Sequence, residues 1–204
     1  MEVKKIKIIG DWTEELKLYQ PNFERYYLEK SLKAMGDEEK YKKLNHHNII
    51  HAEKKILRNS RGFLDPKTMP TLESLRDLIG LKDSQLIILK YNRGETNLLH
   101  KDYIPKYDHV EREGLEREEQ VHEWKNTHYI RMLMLLEDRK PGQYMQMGDM
   151  MLNSWDAGDL YFYNGQEIYH SAGSCGDDPR YVMRITGIPT PKYNDFMSKE
   201  VHHI

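Results

Sequence analysis

Apolar and polar positions follow two different rhythms along the 204-residue chain, and the rhythm changes near Ser84. Before that point the period is mostly helical. KKIKII (4–9) is a short β-type run, followed by GDWTEELKLY, where Asp11 or Thr13 is placed to cap a helix. FERYYLEKSLKAM (23–35) carries apolar residues at helical spacing and stops near Gly36. NIIHAEKKILRN (48–59) repeats that pattern, and LESLRDLIG (72–80) ends on Gly80, a natural C-terminal stop. The turn-rich link RGFLDPKTMPT (61–71) separates these last two helices.

From Ser84 the chain becomes a series of short β-runs: SQLIILKY, LLHKDYI, HYIRMLMLLE, QYMQM, DMMLN, GDLYFYN, EIYHSAG and RYVMRITGI. About eight such runs are typical of a double-sheet roll or small barrel. Asn164-Gly165 is a strong two-residue hairpin signal, and Gly148-Asp149 a weaker one. A charged segment, PKYDHVEREGLEREEQVHEWKNT (105–127), interrupts the series and reads as helical or mobile. The pattern predicts one α+β domain over 1–204. Residues 1–83 form a mainly helical support layer, and residues 84–190 an antiparallel β-roll core with the 105–127 insertion.

Composition adds exclusions. Charged residues make up 31% and mean hydropathy is −0.84, so no run is long and apolar enough to span a membrane. The start, MEVKKIKIIGDWTEEL, has no long apolar stretch, and no secretory leader is expected. Cys175 is the only cysteine, so no internal disulfide is possible and a reducing cytoplasm is the expected location. Net charge is −2, with 19 Lys/Arg against 15 Asp/Glu in residues 1–95 and 12 against 18 in the remainder. That asymmetry is too mild for a nucleic-acid surface.

The stretch LLHKDYIPKYDHV (98–110) introduces candidate chemistry. On a strand, His100 and Asp102 point to the same face. About one H-x-D or H-x-E is expected by chance in a chain of ordinary composition, so this pair decides nothing alone. His170 in EIYHSAG and Arg184 in RYVMRITGI follow it. Two imidazoles and a carboxylate can occupy one face of an octahedral metal and leave the other open, as in non-haem Fe(II) oxygenases. Zinc hydrolases use similar donors, so the ligands do not choose the metal. A guanidinium at Arg184, with Thr186 on the same strand face, suits bidentate capture of a dicarboxylate.

With these pieces in order, the sequence resembles the Fe(II)/2-oxoglutarate-dependent oxygenases, in particular the prolyl-hydroxylase-like branch. The likeness runs from about Leu86 to Ile188 through KYNRGETNLLHKDY, RMLMLLED, WDAGDLYFYNGQEIYHSAG and RYVMRITG. It implies a double-stranded β-helix (jelly-roll) core behind the helical layer. It further implies Fe(II) held by His100, Asp102 and His170. Arg184 would pair with the distal carboxylate of 2-oxoglutarate, assisted by Thr186, with Tyr91 donating its hydroxyl to the same cosubstrate. Dioxygen would convert that cosubstrate to succinate while a substrate is hydroxylated. Two departures stand out: Arg131 occupies a position often filled by a smaller residue, and the 105–127 insertion has no obvious counterpart. Arg180 lies on the same strand face as Arg184 and competes for the anchoring role.

Simpler readings cover the other features. Asp108 and His109 are adjacent and face opposite ways on a strand. His47 and His51 have the i, i+4 spacing of a helical zinc pair but no evident third ligand. His122 and His128 decorate the insertion, and His202-His203 lie in a frayed tail. The methionines of 132–151 fill core, Cys175 is an ordinary loop thiol, and the 161–163 aromatics alternate between core and pocket. The expected substrate is a protein or peptide residue, proline first, with a free amino acid or other small molecule second. The insertion, carrying Tyr107 and Trp124, would close over it as a flap. The rivals are a cupin-like metal protein, which has no need of Arg184 and Thr186, and a non-catalytic interaction module.

Overall fold

A computed structural model describes residues 3–19, 23–26, 57–100, 130–165 and 167–204, with backbone alone at 23–26, 57–63, Leu98 and His100. Twelve strands and three helices lie in this range. In chain order they are β1 (Lys4–Ile9), α1 (Thr13–Leu18), β2 (Phe23–Tyr26), β3 (Leu57–Phe63), α2 (Pro70–Ile79), β4 (Leu81–Tyr91), β5 (Thr96–His100) and β6 (Ile130–Leu135). Then follow β7 (Gln143–Met147), β8 (Met150–Leu152), β9 (Asp159–Phe162), β10 (His170–Ser174), β11 (Arg180–Pro189), α3 (Pro191–Met197) and β12 (Val201–His203). Each of the eight β-runs expected after Ser84 contains a strand, although residues 101–104 and 128–129 of two of them lie outside the described residues.

The strands make an eight-stranded sheet, β12-β1-β9-β6-β11-β4-β3-β2, and a four-stranded sheet, β5-β10-β7-β8. From β4 onward the chain passes from one sheet to the other and back: β4 large, β5 small, β6 large, β7–β8 small, β9 large, β10 small, β11 large. That alternation is a double-stranded β-helix, and all its ladders are antiparallel. Inward and outward residues alternate along each strand, so the large sheet carries two different apolar surfaces.

The outer surface is covered by helices. Leu72, Leu75 and Ile79 of α2 and Phe196 of α3 pack on Ile6, Ile8, Ile88, Met132, Met134, Met183 and Ile185. Pro70 opens α2, and its free amides at Thr71 and Leu72 bond the Glu15 carboxylate of α1 at 2.7 and 3.1 Å. Gly80 closes it in the left-handed conformation. Asp11 accepts from the Thr13 amide at the start of α1, which holds its carboxyl below the usual range. The inner surface forms the roll's core with Leu135, Met145, Met147, Trp155, Tyr161, Tyr163, Ala172 and Val182.

Several expectations are corrected. The helix expected over 23–35 begins as strand at Phe23–Tyr26, and the one expected over 48–59 ends as strand from Leu57. The link 61–71 likewise starts as strand, because β3 pairs with β4 through Phe63↔Ile87. The N-terminal region thus gives strands as well as helices; residues 27–56, including His47 and His51, lie outside the described residues. Asn164-Gly165 does not close a hairpin, since β9 and β10 belong to different sheets. The weaker signal does: Gly148-Asp149 joins β7 to β8, with Met147 opposite Met150. The 132–151 methionines are only partly core, for Met150 and Met151 are exposed. The tail is ordered as β12, parallel to β1, and His202 is buried, stacked on Phe196 at 4.2 Å.

Candidate functional site

The inner face of the large sheet supplies one wall of a cleft. β11 presents Arg180, Val182, Arg184 and Thr186 on one side, and β4 places Tyr91, Leu89, Ile87 and Gln85 opposite them in that order. β6 adds Leu133 opposite Arg184 and Arg131 opposite Thr186. The small sheet closes the other side with Met145, Met147, His170 and Ala172. The cavity between them measures about 50 Å³. At roughly 10–15 Å³ per water, that is room for a few waters, the scale of a small organic acid.

His170 opens β10 and is 8% exposed. Its ring meets Tyr163 edge-on at 5.0 Å, and its Nδ1 lies 3.1 Å from the Ile168 carbonyl oxygen. A carbonyl can only accept, so Nδ1 carries a proton, and in the neutral form of the ring the lone pair is left on Nε2. Metal-ligating histidines are commonly held this way. β5 and β10 are paired with His100 directly across from His170, so the register brings two of the three expected ligands to adjacent positions. Asp102 lies outside the described residues, as do His122, His128 and the whole 105–127 insertion. Among the described residues no group of three or more His, Cys, Asp or Glu converges; the triad's other two members have no described side chain.

Arg180 stands at the opposite end of the cleft from His170. It is 2% exposed, with its guanidinium 4.5 Å from the Tyr91 ring centre and 5.9 Å from that of Trp155. Nη1 donates to the Tyr144 carbonyl at 2.7 Å, while Nε has no partner among the described residues. Burial pushes the guanidinium down from its ordinary value, and the nearby Tyr91 and Tyr144 offset this only in part. Tyr91 is buried beneath it, and its hydroxyl accepts from Asn97 Nδ2 at 2.6 Å.

The strand directions fix the cleft's polarity. Tyr144, which receives the Arg180 bond, is opposite Gly173, three residues beyond His170 along β10 and so roughly 10 Å away. The loop after Ser174 leads straight into β11 in the facing sheet, so β11 runs back toward the His170 end. Arg184, four residues along and roughly 13 Å from Arg180, lies at the level of His170. Its Nη2 donates to Gln85 Oε1 at 3.5 Å, and Arg131 Nε donates to the buried Thr186 hydroxyl at 3.3 Å. Thr186 is thus engaged by Arg131 and is not among the cleft-lining side chains. The cleft has three arginines and His170 in its described lining, and no aspartate or glutamate. Of the site residues expected from the sequence, Tyr91, His170 and Arg184 line it, together with Arg180, the rival anchor.

The closed end at Arg180 is the part least visible in the sequence. Tyr144 is brought to it from β7 and Trp155 from the loop before β9, and only the shared face of Arg180 and Arg184 on β11 signalled it. Tyr161 and Tyr163 are both buried in the roll, with Tyr163 in the cleft lining, and Phe162 packs outward against the helices. Cys175 is exposed in its loop, as expected. Among the described residues no helix is long and apolar enough to cross a membrane.

No family model matches the chain, and no curated protein matches it. Solved structures with a similar course of chain are cupin and double-stranded β-helix proteins. A cupin 2 conserved barrel domain protein from Salinispora arenicola is 10% identical, with 69% of this chain and 83% of that one covered and a TM-score of 0.35. A prolyl-4-hydroxylase from Pseudomonas putida is 16% identical over 65% of this chain and 72% of its own, with a TM-score of 0.42. KdgF from a Halomonas species is 10% identical over 66% and 82%, with a TM-score of 0.36. Likeness at this level leaves function to the residues of the cleft.

Proposed function

We propose that this protein is an Fe(II)- and 2-oxoglutarate-dependent dioxygenase that hydroxylates a substrate C–H bond. The observation that carries the reading is one cleft with a buried guanidinium at its closed end, with no acid beside it among the described residues, and two paired histidine positions at the other. An uncompensated charge in such a place costs several kcal/mol unless a ligand supplies the counter-charge. A short dicarboxylate does so at Arg180 and reaches toward His170 with its other end.

The donor set fits iron. His170, with its lone pair directed to Nε2, and His100 opposite it are imidazole donors, and Asp102, two residues beyond His100, is the carboxylate. Bound there, ferrous iron supplies oxygen activation: 2-oxoglutarate and O2 become succinate and CO2, and the second oxygen atom enters the substrate. Arg180 receives the distal carboxylate, and the Tyr91 ring on which it stacks holds the guanidinium in place. The Ile168 carbonyl fixes the His170 ring and tautomer. Met145, Met147, Leu133 and Val182 keep water from the reacting end. Arg180 thus takes the anchoring role that the R-x-T motif suggests for Arg184. A cupin-like metal protein without a cosubstrate has no use for such a buried cation. A peptide residue such as proline and a free amino acid are the two substrate classes carried forward.

Succinate release from 2-oxoglutarate by the purified protein, with Fe(II) and ascorbate, is the test. The parent forms succinate, whereas His100→Ala, Asp102→Ala and His170→Ala fold but lose tight Fe(II) binding and turnover. Losing one side of a buried charge pair costs about 2–5 kcal/mol, so Arg180→Ala weakens 2-oxoglutarate binding by well over tenfold, and more than Arg184→Ala does. A parent that neither binds nor decarboxylates 2-oxoglutarate ends this reading. The reverse ranking of the two arginines returns the anchor to Arg184.

A further inference from the structure

The wall of the cleft built by the small sheet carries sulfur beside its imidazole. In the ladder between β10 and β7, His170 stands directly opposite Met147, on the other side of it from His100. Residues directly opposite in an antiparallel ladder share a face, with Cβ atoms about 4.5–5.5 Å apart. Met147 and His170 both line the cleft, so the face they share is the inner one. A row across three strands therefore sets two histidine positions and a methionine at one level, the metal end. Met147 is 2% exposed, which shields its sulfur from water and from dissolved oxidants. Met145 lies two residues back on the same face, opposite Ala172 and roughly 7 Å nearer the Arg180 end. Leucine fills nearly the same space as methionine but offers no donor atom. Iron and copper make different demands on such a row. A carboxylate, supplied on the oxygenase reading by Asp102, suits a hard ferrous ion, whereas thioether sulfur selects soft Cu(I).

Resting on the oxygenase reading for the position of the metal, we infer that Met147 is a thioether ligand giving this site affinity for Cu(I), in competition with Fe(II). The imidazoles serve both ions. The carboxylate belongs to iron and the sulfur to copper, so the centre has a hard side and a soft side. Cu(I) held by Met147 and His170 takes the position that iron needs, and so silences the oxygenase.

The experiment uses the full chain with Cys175→Ser throughout, so that the exposed thiol takes no copper. Cu(I) affinity is measured without oxygen, in ascorbate, by competition with the chromophoric chelator bicinchoninate. Mn(II), standing in for Fe(II), is followed separately by electron paramagnetic resonance. The parent should bind a single Cu(I) with sulfur and nitrogen neighbours in X-ray absorption. Added Cu(I) should displace Mn(II) from the parent and suppress its succinate formation. Met147→Leu should weaken Cu(I) binding on the order of tenfold to a hundredfold, equivalent to 1.4 kcal/mol per decade. Its Mn(II) affinity should shift by less than about threefold, which shows that the site is still folded. Met145→Leu should leave both affinities within about threefold of the parent, and so separates ligation from packing. His170→Ala should lose both metals. Equal Cu(I) losses in Met145→Leu and Met147→Leu, a copper environment of nitrogen alone, or a His170→Ala protein that keeps its copper each overturn the inference. A parent that binds Mn(II) but no Cu(I) overturns it as well, with the oxygenase reading left standing. A parent that binds neither metal removes the oxygenase reading, and this inference with it.

Discussion

Arg180 shows how a single residue can oppose the fold that holds it. Its guanidinium is buried against Tyr91 and Trp155, and among the described residues it donates to a backbone carbonyl, not to an acid. Replacing buried ionic side chains by apolar ones of similar volume is often neutral or stabilising, by about 1–4 kcal/mol. Arg180→Met is therefore expected to raise the urea midpoint of the protein without ligand while abolishing 2-oxoglutarate binding. Adding 2-oxoglutarate should reverse the order, since a ligand stabilises only the protein that binds it. If Arg180→Met lowers the midpoint without ligand, the arginine is a structural member of the roll and not a charge kept for a ligand. The contrast with Arg184 also explains what was legible at this scale. Sequence shows that the two arginines share a strand face, but burial depends on Trp155 and Tyr144, which reach Arg180 from elsewhere in the fold.

Among elements, the short runs after Ser84 could be read because inner and outer faces alternate along nearly every strand. The misread elements were those decided by partners. FERY and LRN look helical in isolation, yet β3 lies against β4 and β2 against β3, and edge pairing overrode local spacing. Asn164-Gly165 turns the chain, but which sheet receives it is settled by where His170 and Ala172 pack. The connection before β9 allows a sharper test. Gly158 has φ +86°, and a Cβ there would sit 2.0 Å from the Ile8 carbonyl oxygen. Its amide donates to Leu135 O at 2.7 Å and its carbonyl accepts from Ile8 N at 2.9 Å, tying β1 to the roll. Gly94 has a similar φ of +79° but open space around it. Gly94→Ala should cost only backbone strain, about 1 kcal/mol. Gly158→Ala should cost at least about 2 kcal/mol more, because backbone must move. Equal losses in chemical denaturation would show that the close approach at Gly158 relaxes freely.

At the scale of the whole molecule, the cleft and the outer core belong to opposite faces of one sheet, so stability and chemistry can be perturbed separately. β1 is held between β9 and β12, and β12 contributes nothing to the cleft lining. It does complete the outer side: His202 is buried, stacks on Phe196 and approaches its carbonyl oxygen at 2.9 Å through Nε2. The Lys7 amide bonds Glu200 O at 2.8 Å and the Ile204 amide bonds Ile9 O at 2.9 Å. The sequence gives no hint of this, since VHHI has neither length nor alternation enough to mark a strand, and its partner β1 is nearly the whole chain away. Backbone hydrogen bonds contribute about 0.5–1.5 kcal/mol each, so removing residues 201–204 should cost about 2–3 kcal/mol in all. For a domain of this size that lowers Tm by about 4–12 °C. Because Arg180, Tyr91 and His170 lie across the sheet from this strand, 2-oxoglutarate affinity below the new transition should match the parent within about twofold. Thermal melts and cosubstrate titration of the shortened chain decide it. A large loss of affinity with the fold intact would mean that the two faces of the large sheet are coupled, and that β12 helps to set the spacing of the cleft.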